Sequence, residues 1–307
     1  MSIPANTGAT RGVTFLLNTY NHASTVKAAL DGILSQRLDG VEWEIVVVDD
    51  GSTDATKTIV REGLAVLPNE RWQLIQFQQV GGVVCRQHGF EVAQHGLVFM
   101  LAGDFILCDA AVTRRMIAEF AEDMPFVSLY GPHGGMGTLY RADAFTAVGG
   151  FDLAFNRFGS GYRDDSDLHY RFLDRGWRGR HLPELRSSYR HEQPYEPGII
   201  GAFHYARHRV AVHQLDALLY RRHRRRFGED FRLALGRFPH PVDDFKRATG
   251  LWQTGGRFEL SSPQGVKLVR GDTVLGKAVT VAGGAVYVLA VHTARIRGSI
   301  TYRTLLL

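Results

Sequence analysis

Glu44-Ile45-Val46-Val47-Val48-Asp49-Asp50-Gly51-Ser52-Thr53-Asp54 is the stretch that decides the fold. Its first half is β-branched and unbroken, which suits a strand buried on both faces of a parallel sheet. It ends in two carboxylates and a glycine. Ser52, Thr53 and Asp54 then offer helix-capping side chains, and Ala55 to Leu67 reads as the following helix. A strand with acids at its carboxyl end, then a turn and a helix, is where open α/β sheets bind ligands. The alternative is an acidic surface turn, since short motifs also match by chance.

The flanking sequence repeats the unit. Gly12 to Asn18 reads as a first buried strand, closed by the polar break Thr19-Tyr20-Asn21-His22. A helix to about Gln36 follows, with Val26, Leu30, Ile33 and Leu34 on one face. Trp72–Phe77 and Leu97–Leu101 read as further strands, with a helix from Val83 to Gln94 between them and another from Ala110 to Glu122 after them. The order βαβαβαβα predicts an α/β fold with a mostly parallel sheet flanked by helices. Beyond Pro125 the pattern changes. Strands at Phe126–Tyr130 and Thr138–Arg141 flank a glycine-rich segment, and short helices begin near Asp143 and at Asp164. Tyr205 to Arg226 reads as one long basic helix. From Gly256 the alternating runs Arg257–Leu260, Val266–Val269, Ala278–Val281, Ala285–Val291 and Ser299–Thr304 predict a small all-β module. The expected domains are residues 10–250 and 251–307.

A chain of 307 residues can bury a full core. Its 36 Lys+Arg against 31 Asp+Glu leave +5, which permits an anionic partner and selects none. Two cysteines, Cys85 and Cys108, make no disulfide framework, so a cytoplasmic location is expected. The first eleven residues lack the charged start and apolar core of a signal peptide, and no run reaches the ~18 apolar residues of a membrane span.

Three acidic sites stand at element ends: Asp49/Asp50, Asp104, and Asp164-Asp165-Ser166-Asp167 at a helix start. Oxygen ligands at strand ends suit a hard cation such as Mg2+ or Mn2+, which would bridge diphosphate oxygens. The third cluster could simply cap its helix. Three acids in four residues exceed that need, and their repulsion costs stability unless something uses them.

Together these pieces resemble an inverting family 2 glycosyltransferase with the GT-A (Rossmann-like) fold. The resemblance rests on Leu17-Asn18-Thr19-Tyr20-Asn21, the Val47–Asp54 stretch, Arg86 with Gly89, Leu101-Ala102-Gly103-Asp104, Gly149-Gly150-Phe151-Asp152, Asp164–Leu168 and His191. It covers roughly residues 12–195, and the later part is similar to a galactosyltransferase-type acceptor segment. It implies metal-assisted single displacement from a UDP-sugar to a hydroxyl of a glycan, polysaccharide or related acceptor. Asp50 would bond the base, with Asn18 and Tyr20 beside it, and Arg86 would neutralise the nucleotide. Asp104 would bind Mn2+ or Mg2+, with His191 as a further ligand; otherwise His191 is a surface histidine. Asp165 would be the general base, kept ionised by the helix start. Asp164 and Asp167 would support it, with Gly149 and Gly150 on the acceptor side.

One departure stands out: Ala102 replaces the first acid of the family's DxD. That keeps open a noncatalytic nucleotide- or carbohydrate-binding homologue. A nucleotidyltransferase would need a glycine-rich, basic triphosphate loop near the first strand, and Asn18–Asn21 is not one. Outside this set lies Arg221-Arg222-His223-Arg224-Arg225-Arg226. It reads as a solvated helix end or as a peripheral contact with the inner face of a membrane. Nucleic acid ranks last, for want of an aromatic-interleaved basic groove.

Overall fold

The computed structural model describes residues 12–121, 123–192, 204, 207–208, 210–231, 233, 259–261, 267–270 and 274–306. The chain divides into two compact units, residues 1–194 and 195–307.

In the first unit the elements run β1 (Gly12–Thr19), α1 (Val26–Leu34), β2 (Glu42–Asp49), α2 (Thr56–Leu64), β3 (Trp72–Gln76), α3 (Gly82–Val92), β4 (Leu97–Ala102), β5 (Phe105–Leu107) and α4 (Val112–Ala118). Then come β6 (Phe126–Ser128), β7 (Thr138–Arg141), α5 (Ala142–Ala147), α6 (Asp164–Asp174), β8 (Arg180–His181) and β9 (Tyr189–His191). Seven strands form one sheet in the order β3-β2-β1-β4-β7-β6-β8. The first four are parallel, and β7 turns antiparallel against β4. The short β5 and β9 pair separately and antiparallel.

The apolar runs are continuous because both sheet faces are covered. Val13, Phe15, Leu17, Ile45, Val47, Phe99 and Leu101 point into one core with α1, α2 and α4. Leu16, Val46, Val48, Val98 and Met100 point into the other, with Val83 and Phe90 of α3 and Leu168 and Phe172 of α6. Each such buried side chain contributes about 1.5–3 kcal/mol. Gly89 brings α3 close to the sheet, since a Cβ there would overlap Leu16 Cδ1. The chain passes from β1 out to β3, then returns to place β4 on the other side of β1. That reversal opens a crevice beyond the carboxyl ends of β1 and β4.

The second unit corrects the sequence reading. It holds α7 (Gln214–Arg222), α8 (Arg224–Asp230), β10 (Glu259–Ser261), β11 (Lys267–Arg270) and α9 (Val274–Thr301). The basic helix expected to run through Arg226 breaks at His223, whose φ −127° and ψ 48° are not helical. The hairpin β10–β11 lies near two of the expected strands. The strands expected at Ala278–Val281, Ala285–Val291 and Ser299–Thr304 are instead one 28-residue helix apart from its frayed end, so the module is not all-β. The β-branched alternation was outweighed by packing at helical period: Val291, Ala294, Arg295 and Gly298 are buried, and a Cβ on Gly298 would overlap Gln214 O. The boundary expected near Leu251 lies outside the described residues.

Candidate active site

The ends of β1, β2 and β4 are stitched side by side. Asp50 N donates to Thr19 O (2.9 Å), and Gly103 N donates to Asn18 O (2.8 Å). Asn21, with φ 53°, donates its N–H to Ser52 Oγ (2.9 Å) and accepts from Thr53 N at Oδ1 (2.8 Å). Asp49 turns back on its own loop and accepts from Ser52 N (3.0 Å) and Ser52 Oγ. Asp54 accepts from Thr56 N (3.0 Å) at the start of α2, but Ala55 holds the N-cap position, so none of the Ser52–Asp54 trio caps the helix.

Above these ends lies a cavity of about 610 Å3, within the range of small-molecule sites. Asn18, Tyr20, Asp50, Arg86 and Asp104 all line it, so five of the residues expected from the sequence come together. His22, Met136 and the 158–160 segment complete much of the wall, and none of these was anticipated.

Asp50 is half-buried and oriented by a loop. Its carboxylate accepts from Val80 N (2.7 Å) and Gly81 N (3.0 Å). Gly81 has φ +94°, and a Cβ would overlap Asn156 Oδ1. Asn156 fixes the loop by donating to Val80 O (2.6 Å) and accepting from Val83 N (3.2 Å). Burial, and then the Asp50 carboxylate, push the nearby Cys85 thiol up to about 12, so it is an inert neighbour. Tyr20 is exposed at the rim and accepts from Gln79 Nε2 (2.9 Å).

Asp104 is 6% exposed, and its Oδ1 has no hydrogen-bond partner. Its Oδ2 lies 3.2 Å from His191 Nε2 and 3.8 Å from His22 Nε2. His191 is no loose surface histidine: β9 pairs it with Phe105, and Glu192 N donates to Asp104 O (2.8 Å). His22 Nδ1 sits 3.1 Å from Thr19 Oγ1. Burial lowers the His22 pKa, with Asp104 pulling the other way. The intervening Gly103 has no room for a side chain, since a Cβ would lie 2.7 Å from His22 Nδ1. One carboxylate with a vacant buried oxygen and two imidazole nitrogens fit a divalent cation. Among the described residues no group of three or more His, Cys, Asp or Glu side chains could by itself hold a metal ion, this trio included. Oxygens of a bound molecule would have to complete one here.

The acids at the start of α6 separate. Asp164 forms an ion pair with Arg86 (2.6 Å), whose guanidinium also lies 5.6 Å from the Phe151 ring centre. Asp164 is thus the counter-ion of the cavity's arginine, and Arg86 meets any ligand already partnered. Asp167 is 1% exposed and pairs with Arg171 (2.8 Å), which donates to Val148 O (2.6 Å). Through Arg171 it ties α6 to the end of α5. Gly149 and Gly150, with φ +85° and +68°, close α5 by donating to Thr146 O (2.9 Å) and Phe145 O (3.0 Å).

Asp165 alone remains available. It is half-buried and does not line the cavity, but it packs against Gly135, beside Met136, which does. A Cβ on Gly135 would lie 3.1 Å from Asp165 Oδ2. Its Oδ1 accepts from Ser166 N (2.7 Å). Burial, and then the neighbouring Asp164, push its pKa up, against the expectation that the helix start holds it ionised. Desolvation outweighs the dipole here.

The profile of glycosyl transferase family 2 matches residues 14–175, which contain nearly all of this site. The chain belongs to glycosyl transferase family 2. Family relatives include the glycosyltransferase AglE of Haloferax volcanii, 32% identical over 92 residues, or 30% of each chain. The succinoglycan biosynthesis protein ExoO of Rhizobium meliloti is 41% identical over 70 residues, 23% of this chain and 18% of that protein. The poly-β-1,6-N-acetyl-D-glucosamine synthase of Staphylococcus epidermidis is 31% identical over 113 residues, 36% of this chain and 26% of that one. The matches span less than a third of each relative's length. A mannosyltransferase from Pyrobaculum calidifontis, solved with GDP-Man and Mn2+, superposes with a TM-score of 0.62. It is 16% identical and covers 92% of this chain and 86% of that one. That likeness shows the GT-A-type fold.

Proposed function

We propose that this chain transfers a sugar from a UDP-sugar to a hydroxyl of a glycan, polysaccharide or related acceptor, with inversion at the anomeric carbon. The observation that carries the proposal is the convergence of Asp50, Arg86 and Asp104 on one cavity at the strand-order reversal. Asp50 keeps lone pairs to accept from the N–H of a base, while Val80 and Gly81 hold the carboxylate in place. Arg86 offers its remaining N–H groups to the diphosphate. Asp104 and His191, with His22 beside them, would hold Mn2+ or Mg2+. When bound, the cation offsets negative charge on the departing nucleoside diphosphate. Asp165 takes the acceptor hydroxyl's proton as that oxygen attacks the anomeric carbon and the bond to the diphosphate breaks. Burial and the neighbouring Asp164 raise its pKa, which strengthens it as a proton acceptor. The two free cysteines accord with a cytoplasmic site of action.

A guanine nucleotide is the second reading, favoured by the GDP-Man bound to the mannosyltransferase relative. Calorimetry with UDP, GDP and ADP, in wild type and Asp50→Ala, separates the two. Tighter UDP binding that disappears in the variant supports the uracil reading. A preference for GDP replaces it, and equal binding of all three removes base reading by Asp50. Screening nucleotide sugars for metal-dependent hydrolysis then tests catalysis. No turnover of any donor that binds would leave a noncatalytic homologue.

A further inference from the structure

Helix α9 buries one face and exposes another. Val291, Ala294, Arg295 and Gly298 face the protein, and Arg295 Nε donates to the buried Asp216 of α7 (3.1 Å). Half a helical turn away, Ala282, Val286, Leu289, Ile296 and Ile300 are exposed. They stand three, four or seven residues apart, so they form one stripe. The exposure is large: 67% for Val286, 69% for Leu289 and 74% for Ile300. An apolar stripe of this kind, broken only by Thr293, whose hydroxyl donates to Leu289 O (2.9 Å), marks an interaction surface. No helix among the described residues is long and apolar enough to cross a membrane.

The charges around the stripe are mostly basic. No Asp or Glu occurs between residues 274 and 307. Arg297 and Arg303 are exposed at the carboxyl end of α9. Arg221, of the basic run, donates to Tyr302 O (3.0 Å), which places the start of Arg221–Arg226 at that same end. Arg222, Arg224 and Arg225 are also exposed; the acids Glu229 and Asp230 follow at the end of α8, and Glu229 pairs with Arg225 (3.0 Å). A second copy paired in parallel would bring these arginines against each other, and in either orientation no acid on the partner's stripe would answer them, which disfavours pairing. An anionic lipid surface answers both features, since head groups neutralise the arginines while the stripe enters the acyl boundary.

We propose that α9 lies on an anionic membrane surface, with the Val286–Leu289–Ile296–Ile300 stripe inserted and the arginines at its carboxyl end against lipid phosphates. This surface belongs to the second unit and stands independently of the nucleotide assignment.

The test is co-sedimentation of the full chain with vesicles of phosphatidylcholine alone, or of phosphatidylcholine with phosphatidylglycerol. Binding should require the anionic lipid and weaken in high salt. Arg224→Ala/Arg225→Ala should lower partitioning about fivefold per arginine. Leu289→Glu/Ile296→Glu, at exposed positions where circular dichroism should report an unchanged fold, should abolish it. Equal binding to neutral vesicles, indifference to salt, or full binding by the glutamate pair overturns the proposal. So does a dimer by light scattering that the glutamate pair converts to monomer, which would make the stripe a contact between copies.

Discussion

Asp165→Asn should slow sugar transfer and stabilise the protein at once. The amide keeps the shape and removes the basicity. Loss of a general base costs roughly 10²–10⁴ in rate, or about 3–5 kcal/mol of barrier. Stability moves the other way. Burial and Asp164 raise the pKa of Asp165 above its ordinary 3.8. A carboxyl raised in the folded state contributes stability that is complete below the unfolded pKa and is lost as pH rises through the folded one. At neutral pH, above the unfolded pKa, the buried Asp165 is therefore a burden that Asn does not carry. Urea denaturation should show the variant more stable than wild type at neutral pH, with the difference closing below pH 3.8. Asp164→Asn should behave in the opposite sense. It breaks a largely buried ion pair and leaves Arg86 without its counter-ion, at a cost of about 3–5 kcal/mol. Removing that neighbouring charge also lowers the Asp165 pKa, so the acid limb of the pH–rate profile should move to lower pH. Wild-type transfer by Asp165→Asn, or its destabilisation at neutral pH, would refute the assignment of the base.

Asp104→Asn should abolish the enhancement of UDP binding by Mn2+, measured by calorimetry with and without the metal, and unchanged enhancement would remove Asp104 as a ligand. His191→Ala and His22→Ala should each weaken it by the 10–100-fold typical of a lost ligand or its support; if only His191→Ala does so, His22 is a packing residue. Gly89→Ala should destabilise the fold by about 1–3 kcal/mol in urea titration, because the added methyl overlaps Leu16 Cδ1. A neutral result there would show that α3 can retreat from the sheet.

The first unit was legible because burial on both faces writes itself into sequence as unbroken apolar runs. Leu97 to Leu101 could hardly be anything but a central strand, and its parallel neighbours follow from the intervening helices. Asp50 and Asp104 were legible for a related reason: an acid that directly follows such a run must sit at the sheet's carboxyl edge. His22 was not. It belongs to a polar break, and its approach to Asp104 depends on how closely β1 and β4 pair, which spacing along the chain does not encode. Helix α9 misled for a different reason. Its valines and Gly283-Gly284 carry strand and turn signals, while the face that makes it a helix is defined by tertiary contact, chiefly with α7.

The run Asp164-Asp165-Ser166-Asp167 shows most sharply where sequence reasoning stops. Four adjacent letters look like one cluster with one purpose. On a helix each successive residue turns about 100°, so the three carboxylates face three different surroundings. Asp164 meets Arg86 from α3, and Asp167 meets Arg171 one turn along its own helix. Asp165 points between them toward the glycine-rich 134–137 segment, where no ion pair among the described residues claims it. The two outer acids thus hold α6 in place, and Asp164 also raises the pKa of the one between them. The charge repulsion that made this cluster look costly is therefore part of what raises the pKa of a single carboxylate and makes it the better proton acceptor.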